Sequence, residues 1–68
     1  MPLYVINTQV GKHGEHEIHK SSCFQRPAIE HQLDLGWHYS DQEALTAARA
    51  IYVRPDGCYY CCPDIHQI

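Results

Sequence analysis

The chain has 68 residues, 44% of them hydrophobic, and a formal charge of −3 from eight acidic and five basic side chains. That length suits one domain over residues 1–68, with an apolar core that is marginal unless a disulfide, a metal or a partner supplements it. The cations Lys12, Lys20, Arg26, Arg49 and Arg54 are scattered, so no cluster neutralises a run of phosphates, which argues against nucleic acid as the main ligand.

In chain order, LYVIN (residues 3–7) is rich in β-branched and aromatic residues and predicts a first strand. VGKHGE places Gly11 and Gly14 around two polar residues, which suits a turn. HEIHK (residues 16–20) predicts a second strand, and SSCFQRPAIEHQ, with Pro27 and no periodicity, a surface loop. LDLGWHY (residues 33–39) alternates Leu33, Leu35, Trp37 and Tyr39 with Asp34, Gly36 and His38, the period-two pattern of a half-buried strand. This pattern puts Trp37 in the core.

Ser40 and Glu43 then form a capping box, and Asp41 in the first turn favours the helix dipole. Ala44, Leu45, Ala48, Ile51 and Tyr52 make one helical stripe, expected to pack on the Leu33, Leu35 and Trp37 face. Arg54-Pro55 stops the helix and Asp56-Gly57 turns the chain. The expected fold is α+β: a small three-stranded antiparallel sheet packed on one helix, followed by a cysteine-rich C-terminal turn.

No apolar run approaches the roughly 20 residues of a membrane helix. MPLYVINTQV also lacks the basic start and long apolar stretch of a signal peptide. The expected location is therefore cytoplasmic, away from membranes, where thiols stay reduced and clustered cysteines bind metal more often than they form disulfides.

The segment DGCYYCCPDIH carries three of the four cysteines. Cys58-Tyr-Tyr-Cys61 has the two-residue spacing of a tetrahedral zinc knuckle, with Asp56-Gly57 and Pro63 as turn residues. Such a pair supplies two ligands, so a site needs a second pair, and His19-Lys-Ser-Ser-Cys23 is the best candidate. His66 competes with His19 for the fourth place, and Cys62 with Cys61. Buried or disulfide-forming thiols and a redox pair are the alternatives, although redox CxxC pairs normally open a helix in a βαβ setting. His13, His16, His31 and His38 read as surface residues. Of Tyr59 and Tyr60, one is expected to cover the site and the other to pack on the helix. No catalytic triad, phosphate loop or nucleotide fingerprint is present.

HEIHKSSC, a Leu-Gly-Trp strand, S-D-Q-E-A-L and DGCYYCC together resemble a family of small bacterial domains of unknown function. That family has a His-x3-Cys motif, a Leu-Gly strand, Ser-x-x-Glu-Ala and a closing Gly-Cys-x-x-Cys. The resemblance covers the chain from about residue 15 onward. More distantly, the order of elements is similar to the N-terminal zinc module of Ada-type DNA-repair methyl acceptors. On that resemblance Cys23, Cys58 and Cys61 match thiol ligands and His19 stands in for a fourth. The histidine replaces one of four cysteines and the basic DNA-binding surface is missing, so the resemblance implies the metal site but neither methyl acceptance nor DNA binding.

The expectation is a non-enzymatic domain with a structural zinc site from Cys23, Cys58, Cys61 and His19, its exposed side binding another protein. The rival expectation is a metal-free structural or oligomerising domain with buried thiols. A thiol redox protein ranks below both.

Overall fold

The computed structural model describes all of residues 1–68. Strands β1 (Leu3–Asn7) and β2 (His16–Lys20) pair antiparallel, with Tyr4 opposite Lys20, Val5 opposite His19 and Ile6 opposite Ile18. A 3-10 turn at Ile29–His31 leads into β3 (Gln32–Trp37), which pairs antiparallel on the other side of β1. Helix α1 (Asp41–Arg49) follows, then β4 (Pro55–Gly57), and a second 3-10 turn at Pro63–Ile65 closes the chain.

The sheet has four strands in the order β3-β1-β2-β4, and β4 runs parallel to β2. This corrects the expected three-stranded antiparallel sheet. Pro55-Asp56-Gly57 has turn composition and only three residues, so nothing local marks it as a strand; it is one because β2 lends it a ladder, with His16 opposite Pro55 and Ile18 opposite Gly57.

Because side chains alternate along a strand, these registers sort the residues between two faces. Tyr4, Ile6 and Ile18 point to one face, where Ala44, Leu45 and Ala48 of α1 cover them. Leu35, Cys62 and Ile65 complete that core. Gly57 lies in the same register as Ile18, and a Cβ there would sit 2.6 Å from the Cys62 carbonyl oxygen, so only glycine lets the final turn close over the sheet. The opposite face carries Val5 and His19.

Helix α1 starts as the capping residues predict: the Ser40 hydroxyl accepts from Glu43 N–H at 3.2 Å. Glu43 reaches back one residue further than a capping box requires, its carboxylate accepting from Tyr39 N–H at 3.2 Å. The Tyr4 hydroxyl donates to Asp41 Oδ1 at 2.6 Å, fastening the first turn of the helix to the middle of the sheet.

Two expectations about packing fail for identifiable reasons. The β1–β3 register shifts between Tyr4 and Val5, so that Leu35 is an extra residue between Asp34 and Gly36. A bulge of this kind inverts which face each later residue occupies. Leu35 stays in the core, but Trp37, opposite Leu3, turns to the other face and is 61% exposed. Gly36 sustains the bulge at φ +86°, and its N–H donates to Asp34 Oδ1 at 3.0 Å. The helix also ends at Arg49, so Ile51 falls outside it and is exposed, while Tyr52 stays half-buried against the core.

Candidate metal centre

His19, Cys23, Cys58 and Cys61 converge on the sheet face opposite α1. Their ligand atoms all lie within 4.8 Å of one another. Backbone geometry makes the cluster. Cys58 N–H donates to Ile18 carbonyl at 2.9 Å as the β2–β4 ladder runs out, and Cys62 N–H donates to Cys58 carbonyl at 2.9 Å to close the Cys58–Cys62 turn. On the other side of His19, Lys20 N–H donates to Cys61 Sγ at 3.3 Å. The knuckle therefore grips β2 one residue before and one residue after the histidine. Cys23 arrives through a tight turn in which its N–H donates to Lys20 carbonyl at 2.9 Å, and Gln25 N–H points at its sulfur at 3.4 Å.

All four cysteines are free thiols. Cys23 Sγ and Cys58 Sγ stand 3.8 Å apart. Burial pushes the Cys61 thiol well above the ordinary thiol range, whereas the Lys20 N–H aimed at its sulfur favours the thiolate. A cation among the sulfurs resolves that conflict by taking the place of the protons.

The histidine is set up for the same task. His19 is buried, and burial holds its pKa below the usual imidazole range, so the ring is neutral. Its Nε2 lies 3.0 Å from Glu17 Oε1. With a neutral ring this contact is an Nε2–H donor on a carboxylate rather than an ion pair. The proton on Nε2 leaves the lone pair on Nδ1, and Nδ1 is buried without any hydrogen-bond partner. An orphaned, buried lone pair costs several kcal/mol in apolar surroundings, of order 1–3 by mutational measures, and a metal ion removes that cost. The carboxylate–imidazole pair is also the usual outer support of a metal-bound histidine. Glu17 itself has its carboxyl raised, first by burial and then by Glu15 and Asp56 nearby.

The two alternates fall outside the cluster. Cys62 belongs to the core on the helix side, and burial pushes its thiol up to about 11, so it stays protonated and packs as a small apolar group. Its Sγ is nevertheless 3.7 Å from Cys61 Sγ, and Cys61 packs against the edge of the same core, so the adjacent pair joins the cluster to the core. His66 turns its Nδ1 to Gly57 carbonyl at 2.9 Å and to Asp56 Oδ2 at 3.2 Å. Buried Asp56 also accepts from Gln67 N–H at 2.8 Å, so this group ties down the end of the chain.

Among the other histidines, His13 is exposed. His16 stacks on Tyr52 with ring centroids 3.6 Å apart, and His38 packs half-buried with its Nε2 2.7 Å from Leu35 carbonyl. Both are joints of the fold rather than solvated surface groups. Tyr59 and Tyr60 are both exposed, and neither packs on the helix.

Glu17 is the member of this constellation that sequence reasoning missed. Its signal was there: residues two apart on a strand share a face, so Glu17 and His19 of HEIHK stand side by side.

Comparison with family models, curated proteins and solved structures finds no match to this chain. No helix is long and apolar enough to cross a membrane. The cluster can hold a metal ion, and that capacity rests on the geometry alone.

Proposed function

We propose that this is a non-enzymatic domain closed by a structural zinc ion, held by the thiolates of Cys23, Cys58 and Cys61 and by His19 Nδ1. The observations that carry the reading are the cluster of three cysteines with His19 and the buried His19 Nδ1, which has no hydrogen-bond partner. The sulfur spacing supports zinc: tetrahedral bonds of about 2.3 Å put two ligated sulfurs about 3.8 Å apart, and Cys23 and Cys58 have that separation at 3.8 Å. The likeness to the Ada-type zinc module points the same way for the three thiols.

Four protein ligands complete a tetrahedral shell, leaving no open position for a substrate or an activated water. The role that follows is mechanical. The ion fastens the last turn of the chain, the turn after β2 and β2 itself into one unit, and so adds closure that a core of this size lacks.

Titration of the untagged protein with cobalt tests the reading. Thiolate-to-cobalt charge-transfer bands saturating at one equivalent are expected, retained in Cys62→Ala and abolished in Cys58→Ser. A featureless titration would leave a metal-free domain with buried thiols instead.

A further inference from the structure

The two loops that supply the sulfurs also carry aromatic rings, and these face outward. Phe24 follows Cys23 directly, and Tyr59 and Tyr60 are the two residues between Cys58 and Cys61. All three are largely in solvent, at 71%, 65% and 60% exposure. They are not scattered. Phe24 and Tyr60 meet edge-on with centroids 5.1 Å apart and planes at 61°, and Tyr59 and Tyr60 do so at 5.2 Å and 86°. The His66 ring continues the row against Tyr59 at 5.5 Å. Rings held at steep angles expose both faces and edges in one patch, an arrangement seldom left uncovered on a solvated surface.

Charge decides what fits there. Aromatic faces attract cations through the ring quadrupole. The chain carries −3 with its thiols neutral, and a divalent ion on three thiolates adds one further negative charge, located at the metal site beside these rings. Two cations of this chain lie on the adjoining segments, one on the far side of the sheet and the other already engaged on the Cys23 loop itself. Lys20 is opposite Tyr4 and so stands on the helix side of the sheet. Arg26 donates through Nη1 to Cys23 carbonyl at 2.8 Å. Phosphates, by contrast, meet no basic cluster here.

We infer that Phe24, Tyr59 and Tyr60 form a docking surface for an arginine- or lysine-bearing segment of a partner protein. The inference rests on the structural-zinc reading, because the ion holds the two loops together and with them the three rings.

The test is a titration of the zinc-loaded, isotope-labelled protein with a peptide of alternating arginine and glycine, followed by amide shifts. Parallel titrations use the same peptide with citrulline for arginine, and a short oligothymidylate. Saturable shifts confined to residues 23–26 and 58–62 are expected, with binding about tenfold weaker for the citrulline peptide. Phe24→Ala and Tyr60→Ala should each weaken binding about three- to fivefold, the range of an exposed cation–π contact. Equal binding of the citrulline peptide, tighter binding of the oligothymidylate, or ring variants of unchanged affinity would overturn the inference. Cobalt spectra of the same variants keep the two readings apart: intact bands without peptide binding defeat the docking surface alone, and absent bands in the wild type defeat the metal site.

Discussion

The two faces of the sheet are closed by different physics. On one, Tyr4, Ile6, Ile18 and Leu35 pack against Ala44, Leu45 and Ala48, with Cys62 and Ile65 filling the end. On the other, beside Val5, His19 of β2 and the thiols of two loops gather in one buried cluster, with the His19 Nδ1 left without a partner. The first face is closed by an apolar cluster of nine buried residues. The second has no helix to cover it, and its large apolar side chains, Trp37, Phe24, Tyr59 and Tyr60, are in solvent. A metal ion held by the cluster would supply cohesion where apolar mass is absent. Cys61 and Cys62 are neighbours in the chain yet differ in role: Cys62 is a member of the core, while Cys61 joins the cluster and packs against that core only from its edge.

If the faces are independent in this sense, removing the metal should break only one of them, and this is the largest effect expected. Structural zinc contributes of order 10 kcal/mol of folding free energy in small domains. Excess chelator should therefore abolish hydrogen-exchange protection in residues 20–25 and 58–61 first, with β1, β3 and α1 the last to lose it. Uniform loss of protection would show that the two faces are one cooperative unit. Next in size is Leu45→Ala, which opens the helix-side core and should cost about 3 kcal/mol in chemical denaturation, while the zinc content stays at one equivalent. A variant that also loses zinc would contradict the separation.

Tyr4→Phe removes the phenol donor to Asp41 and should cost about 1.5 kcal/mol, as for a hydrogen bond to a charged acceptor. It has a pH signature as well. Burial, and then the Asp41 carboxylate, raise the Tyr4 phenol far above its ordinary value of 10.0. A group whose folded pKa is raised contributes stability that is full below the unfolded value and is lost above it. The wild type should thus lose stability above about pH 10, an alkaline loss that Tyr4→Phe reduces. The smallest effect belongs to Glu17→Gln, which leaves the four ligands in place but weakens the acceptor behind His19. Zinc affinity in a chelator competition should fall about tenfold, without change in the Leu45 face.

The sequence made one face far more legible than the other. LYVIN and HEIHK are strands within the residues read from their composition, because β-branched content and alternation are local properties. Ser40 and Glu43 mark the helix start for the same reason. The ligand spacings are local too, and His19, Cys23, Cys58 and Cys61 come together across the fold. What escaped depends on partners distant in the chain. Pro55–Gly57 is a strand only beside β2. The bulge at Leu35 sends Trp37 out of the core, and Gly36 was its sole local trace. Cys62 could be told from Cys61 only once the ends of both faces were in place.

X-ray absorption at the zinc edge of the untagged protein tests the central claim most directly. The account predicts one equivalent of zinc with three sulfurs at about 2.3 Å and one imidazole nitrogen at about 2.0 Å. Four sulfurs, which would put Cys62 in the place of His19, or protein purified without bound metal and unable to take it up, would contradict it.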